Sequence, residues 1–380
     1  MTFVVFLDLS AAFDSVDHEI LLQRLTNQFG VTGSVISWFA SYLSDRKVRM
    51  KVANDFSQPR KLKFGVPQGS VVGPQLFSLY TSPITDIIKQ HPGIQHHSYA
   101  DDLQLYTSAD PKDEDGVRSA IGSLSSCISD LQLWMQRNML KLNCEKTEFL
   151  VAVSPYFSRL VSDISLTIGD AVIKPSTSVR SLGVVMDPSL KMNQHVSSLS
   201  SSLHFHLSNI ARIRPYLDKS ACKHAVRALV TSRTDYSNSL LCNISSSNIE
   251  RLQRAQNRAA KLVFRAKKYD RATPFLRQLH WLPIEKQITY KILTITYKCI
   301  HKTAPSYLQN LLSSYQPGRH GLRSGNDPTL LSVPRSRTRF GDRSFSISAP
   351  HLWNDLPLAV RSSPSLPIFQ RSLKYLLFNN

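Results

Sequence analysis

Thr2-Phe-Val-Val-Phe-Leu-Asp-Leu-Ser-Ala-Ala-Phe-Asp14 decides the fold. Its first six residues are β-branched, aromatic or aliphatic, and a run with no polar alternation predicts a strand buried on both faces. The strand runs directly into Asp8, so a carboxylate is delivered to the end of a core element. A second acidic centre lies in His97-Ser-Tyr-Ala-Asp-Asp-Leu-Gln-Leu-Tyr-Thr107, where apolar and aromatic residues flank the acids on both sides as in a tight β-hairpin. If the two elements are neighbours, Asp8 meets the Asp101-Asp102 pair.

Outward from these segments, residues 17–43 read as helices broken at Gly30 and Gly33, and Val48–Val52 reads as a strand. Pro74 suits the first turn of a helix running to about Lys89. Helical periodicity returns over 116–139, followed by strand-like runs at 147–153, 164–168 and 179–186. Strands and helices alternate without regular β-α-β crossovers, which predicts an α+β layer. Past Pro188 the pattern is helical for about a hundred residues, through 195–211, 219–233, 248–266 and 283–301. From Tyr315 on, Pro, Ser, Gly and Arg dominate, and hairpins and loops with little core are expected. The expected organisation is therefore a sheet-bearing part over 1–188, a helical basic lobe over 189–312 and an irregular region over 313–380.

A chain of 380 residues with 42% hydrophobic content can bury a sizeable core. Its formal charge of +19 is unevenly spread: residues 1–150 hold 14 Lys and Arg against 16 Asp and Glu, and residues 151–380 hold 32 against 11. A near-neutral half with clustered acids beside a polycation is explained by a division between chemistry and anion binding, with nucleic acid the commonest such anion. Five cysteines with no C-x-x-C pair indicate neither a disulfide framework nor a zinc knuckle, and point to a reducing, intracellular compartment. Residues 2–7 are apolar, but Asp8 interrupts them and no basic segment precedes them, so a signal peptide is not expected. No run approaches the length of a membrane span, and no membrane partner is expected.

A carboxylate at a strand end and a pair at a hairpin tip suit two divalent ions about 4 Å apart, which activate a 3′-hydroxyl and stabilise a leaving pyrophosphate. Hard oxygen donors select Mg²⁺ or Mn²⁺ over zinc. Each acid alone is equally a turn or cap residue. The order of motifs is what decides: Phe6-Leu-Asp-Leu-Ser-Ala-Ala-Phe-Asp14, Gly65-Val-Pro-Gln-Gly-Ser-Val-Val-Gly-Pro74 and Tyr99-Ala-Asp-Asp102 resemble motifs A, B and C of the reverse transcriptases, in sequence. The kind resembled is that of LINE-type (non-LTR) retrotransposons.

The resemblance implies a polymerase palm followed by a thumb-like helical lobe, and an RNA-directed DNA polymerase. It implies that Asp8 and Asp101 hold the catalytic metals with the Leu9 carbonyl as a further ligand, while Asp102 completes the acidic cluster. Phe13 would lie under the incoming sugar and reject a 2′-hydroxyl. Gln68 and Gly69 would lie against the new base pair, glycine permitting the close backbone approach. Leu140-Lys-Leu-Asn-Cys-Glu-Lys-Thr-Glu-Phe149 looks like motif D, making Lys146 the candidate general acid. Ser178-Val-Arg-Ser-Leu-Gly-Val185 resembles the motif E turn, which would put Leu182 and Gly183 near the primer end; an ordinary hairpin reads the same way. Implied partners are an RNA template, a DNA primer or target and deoxynucleoside triphosphates, acting in the nucleus or cytoplasm.

In residues 249–265, Arg251, Arg254, Arg258, Lys261 and Arg265 recur at steps of three and four beside an apolar stripe of Leu252, Ala255, Ala259 and Leu262. Such a helix can dock and still present a row of charge to a phosphate backbone. Segments around Trp281, Val333 and Trp353 resemble the C-terminal region of LINE-type elements, with Arg335, Arg337, Arg339 and Arg343 as candidate RNA contacts and Trp281 and Trp353 better read as core. Val72 and Gln75 depart from the family pattern, which more often has leucine there. Only seven residues precede motif A, so a chain cut at that motif, without the basic fingers segment or an endonuclease, is expected. Two other readings remain open on the sequence: an inactive RNA- or DNA-binding remnant, and a two-metal nuclease built on Asp8, Asp14 and Asp17, although Asp17 also reads as a helix cap.

Overall fold

The computed structural model describes residues 1–67, 69–161, 164–316, 327, 329–336, 338 and 340–379. Gln68, Arg337 and Arg339 lie outside the described residues. Two compact units divide the chain: Met1–Leu182 with Asp187–Ser189, and Gly183–Met186 with Leu190–Asn380.

The first unit is built on a four-stranded antiparallel sheet in the order Glu148–Ala152, Thr2–Leu7, Asp102–Ser108, Gln95–Tyr99. Thr2–Leu7 is central, pairing Val5 with both Phe149 and Leu105. One face of it is buried, through Phe3, Val5 and Leu7, whereas Val4 and Phe6 are half-buried. The apolar run therefore does not report two covered faces. β-branched and aromatic side chains fit a pleated surface even when one side is partly open. Beneath the sheet pack the helices His18–Asn27, Gly73–Thr81 and Glu114–Arg137, whose buried stripes include Leu21 and Leu25, Leu76 and Phe77, and Leu124, Ile128 and Leu131. The helix expected from Pro74 to Lys89 is two helices, Gly73–Thr81 and Ile84–Lys89. Pro83 sits at the break, where its ring and missing N–H end a helix. The strand expected at Val48–Val52 is a narrow ribbon of two-residue strands, Lys47–Val48 with Arg60–Lys61 and Lys51–Val52 with Asp55–Phe56, exposed throughout.

The second unit is mostly helical. Asn193–Ile213, Ser246–Phe264 and Ile284–Ile300 are its long helices, and Val196, Leu203, Leu252, Ala259, Ile288 and Ile292 are among the residues in its main core. Residues beyond 344 are not irregular: Phe345–Asn354, Leu358–Arg361 and Leu366–Asn379 are helices. They close a second core in which Phe369 stacks on Tyr297 with ring centroids 4.5 Å apart and lies 5.7 Å from Trp353. Trp353 is buried and donates to the Thr329 carbonyl, so it is a core residue. No described helix is long and apolar enough to cross a membrane.

Candidate active site

The ladder register brings the acids together. Leu7 pairs with Leu103 and Tyr99 pairs with Asp102, so the residue after Leu7 and the residue before Leu103 emerge at the same end of the sheet. The hairpin between Tyr99 and Asp102 turns through Ala100 and Asp101, with Ala100 at φ 53°. An alanine in the left-handed region is a small local strain, of the kind found where a turn must aim a side chain.

On the other side the chain leaves the sheet at Asp8 and resumes as Leu9–Ser10, pairing with Lys141–Leu142. The Asp8 carbonyl accepts from Asn143 N–H at 2.9 Å, which fixes the bend while its side chain stays partly open to solvent. Asp102 is exposed by surface area, yet partial desolvation raises the proton affinity of its carboxyl, and the neighbouring Asp101 and Asp8 raise it further. That mutual repulsion follows from like charges held at one end of the sheet. Lys146 Nζ stands 4.0 Å from Asp8 Oδ2, both groups open to water.

Among the described residues no group of three or more His, Cys, Asp and Glu side chains is near enough to hold a metal ion as it stands. The chemistry of the donors nevertheless fits a hard divalent cation: all are oxygens, and their charges oppose one another until neutralised. Leu9 is buried and paired with Leu142. Beside the turn lies a pocket of about 210 Å³, lined by Leu9, Phe77, Thr81, Ser98, Ala100 and Asp101 among others.

The segment after Asp8 is folded onto the glycine-rich loop. Phe13 is half-buried with its ring 4.8 Å from that of Phe77, and its carbonyl accepts from Val66 N–H. Gly65 has φ 92°, and a Cβ there would meet the Asp14 carbonyl oxygen at 3.0 Å. Gly69, at φ 81°, has open space around it. Asp17 caps the helix His18–Asn27, its Oδ1 accepting from Glu19 and Ile20 N–H, so it serves as the cap its position suggests and is not presented as a metal ligand. Leu182 and Gly183 both take positive φ, 46° and 80°, between the strands Val179–Ser181 and Val184–Met186.

A polar cluster that sequence reasoning missed braces the three helices beneath the sheet. Arg24 donates to the Tyr80 carbonyl and to Asn138 Oδ1, and lies over the rings of Tyr80 and Trp134. Tyr80 in turn donates to the Asn138 carbonyl at 2.7 Å. Read along one helix, Arg24 is a solvated charge, and nothing local points to its distant partners.

In the second unit, Arg251, Arg254 and Arg258 are exposed on the helix Ser246–Phe264 while Leu252, Ala255 and Ala259 are buried. Arg258 reaches Ser208 Oγ at 3.2 Å. Lys261 donates to the Lys268 carbonyl, and Arg265 donates to the carbonyls of Arg214, Pro215 and Leu217. The open part of the row is thus its first three arginines. Arg335 is exposed. Arg343, expected to face RNA, instead donates to the carbonyls of Leu190, Leu240 and Cys242 and ties loops of its own unit.

An antiparallel sheet that gathers carboxylates at a hairpin tip, with helices packed against it and a helical lobe after it, is the palm of a template-directed polymerase. Residues 1–186 match the family described as reverse transcriptase (RNA-dependent DNA polymerase), and the chain is similar to the polymerases of LINE-type elements. It is 27% identical over 339 residues to the probable RNA-directed DNA polymerase from transposon BS of Drosophila melanogaster, covering 86% of this chain and 36% of that protein. It is 24% identical to the RNA-directed DNA polymerase from mobile element jockey of the same species, covering 54% and 22%, and 24% identical to the probable polymerase from transposon X-element, covering 72% and 30%. The chain therefore spans about a third or less of the length of these curated relatives. A solved apo telomerase from Candida tropicalis overlaps it with a TM-score of 0.40 at 14% identity, over 80% of this chain and 50% of that one.

Proposed function

We propose that the sheet end bearing Asp8, Asp101 and Asp102 is the active site of an RNA-directed DNA polymerase, which extends a primer 3′-hydroxyl with deoxynucleoside triphosphates on an RNA template. The observation that carries this reading is the pairing of Leu7 with Leu103, which sets Asp8 beside the Asp101–Asp102 turn. The match of residues 1–186 to a family that generally uses divalent metal ions supports the same reading. Two Mg²⁺ or Mn²⁺ ions, when bound, would acidify the attacking hydroxyl and neutralise the leaving pyrophosphate.

The chain's own residues then divide the remaining tasks. Asp8 and Asp101, with the Leu9 carbonyl, hold the ions, and Asp102 completes the acidic cluster. Phe13, steadied by Phe77, presents a ring edge where a 2′-hydroxyl would clash. Gly69 lets the backbone approach the new base pair, a contact that the motif resemblance also assigns to Gln68. Lys146 holds a proton that the departing pyrophosphate requires, and its place across from Asp8 keeps it at the reacting end. Leu182 and Gly183 support the primer end, and Arg251, Arg254 and Arg258 track the duplex backbone, while Lys261 and Arg265 are spent on carbonyls of their own unit.

The test is extension of a labelled DNA primer on an RNA template with Mg²⁺. Asp101→Ala should reduce extension to background while leaving RNA binding in place. Equal incorporation by that variant would remove the assignment.

A further inference from the structure

Half of the cations of residues 1–150, seven of fourteen, fall within residues 46–63, which contain a single acid, Asp55. This is the ribbon between the helix Gly33–Leu43 and the glycine-rich loop, and every residue from 47 to 64 is exposed. Its two strands are held by Lys47 opposite Lys61, Val48 opposite Arg60, Lys51 opposite Phe56 and Val52 opposite Asp55. Between these short ladders Met50 pairs with Ser57, whose N–H donates to the Met50 carbonyl at 2.9 Å. At the base Phe64 bridges to Asp17, next to Gly65, so the ribbon springs from the loop that packs on the Asp14–Asp17 turn.

Alternate residues of an extended strand share a face, and residues paired across a ladder share it too. Lys47 and Lys61 therefore share a side of one short ladder and Lys51 and Phe56 a side of the other, with the exposed Arg49 in the irregular stretch between them. Lys51 Nζ lies 5.6 Å over the Phe56 ring. Only Lys61 has an ion-pair partner among these residues, Asp45 at 3.2 Å and well exposed, a pairing that screens little. Val48, Met50 and Val52 of the same segment are 46%, 68% and 71% exposed. A two-stranded ribbon with both faces in water is marginally stable at best, so an ordered partner is the missing element.

We propose that this ribbon is a grip for single-stranded RNA, binding the template strand by phosphate contacts to Lys47, Arg49, Lys51 and Lys61 and by stacking of a base on Phe56. The choice of RNA rests on the polymerase reading above; the choice of a nucleic-acid strand rests on the ribbon's own charge, which matches a row of phosphates and no apolar protein segment. Bound RNA covers these cations and orders the two strands against each other.

The test uses the whole chain and a fluorescein-labelled 20-nucleotide oligo(U), read by anisotropy across a salt series. Replacing Lys47, Arg49 and Lys51 together by Gln should weaken binding at least about tenfold at low salt. The slope of log affinity against log salt should become shallower by about 2, at ~0.7 per lost phosphate contact on a single strand. Phe56→Leu should weaken binding with the slope unchanged, and Lys112→Gln with Arg118→Gln, exposed cations elsewhere in the same unit, should change neither quantity. Because the substituted side chains are exposed, the far-ultraviolet circular dichroism melt should not move. Unchanged affinity and slope in the triple variant overturns the proposal. So does a loss confined to oligo(dT), or loss of a self-association with RNA binding intact. Asp101→Ala, which ends synthesis under the polymerase reading, should leave this binding untouched, so failure of either idea is visible without the other.

Discussion

Asp102 is the residue in which partial desolvation and like charge act together. Its carboxyl binds a proton more tightly in the fold than in the unfolded chain, because partial desolvation, Asp101 and Asp8 all disfavour the anion. A raised carboxylate value means that the folded state loses ground as pH climbs from the unfolded value through the raised one. Asp102→Asn should therefore raise the melting temperature in metal-free buffer at neutral pH, and the gain should disappear in acid, where both side chains are neutral. A melting curve at pH 7 in EDTA with no gain, or a gain that persists unchanged in acid, would refute this account. Gly65 makes the opposite demand. At φ 92° with the Asp14 backbone 3.0 Å from a would-be Cβ, Gly65→Ala should cost roughly 1–3 kcal/mol, read from the urea midpoint. These two positions differ in legibility: the acids stand out in a printed sequence as chemistry, whereas the close approach at Gly65 exists only once two distant segments have met.

Helix ends explain more of the second unit than its charge does. Arg214 is buried and donates to the carbonyls of Leu262 and Val263 at the C-terminal end of Ser246–Phe264, and to that of Leu217. A cation there satisfies orphan carbonyls and faces the negative end of the helix dipole. Arg214→Met should remove roughly 2–4 kcal/mol of stability, because three acceptors lose a charged donor in a dry place. Differential scanning calorimetry showing the same melting temperature would contradict that role. Arg265 and Arg343 likewise spend their donors on carbonyls. In sequence they are indistinguishable from Arg251 and Arg254, which stay exposed, because a 3.6-residue period assigns a face and not a partner. The helices beyond residue 344 were hidden for a related reason. Phe369, Leu373 and Leu377 do recur at helical spacing, but the Pro- and Ser-rich composition around them reads as loop until Tyr297 and Trp353 supply the surface they pack on.

At the scale of the molecule, one compact unit is near neutral and the other strongly basic, with the ribbon of residues 46–63 as a basic patch in the near-neutral one. What the order of residues determined without any coordinates was the strand into Asp8, the hairpin around Asp101–Asp102, the helical second half and the family, because strand and helix periods and short motifs are local properties of a chain. What only the tertiary structure decided was which cations are free for a phosphate, which strand face is covered, that Arg24 braces three helices through Tyr80 and Asn138, and that the basic ribbon of residues 47–64 is exposed throughout. Each of these depends on contacts between residues far apart in the chain, and burial and hydrogen-bond partners are created by such contacts alone.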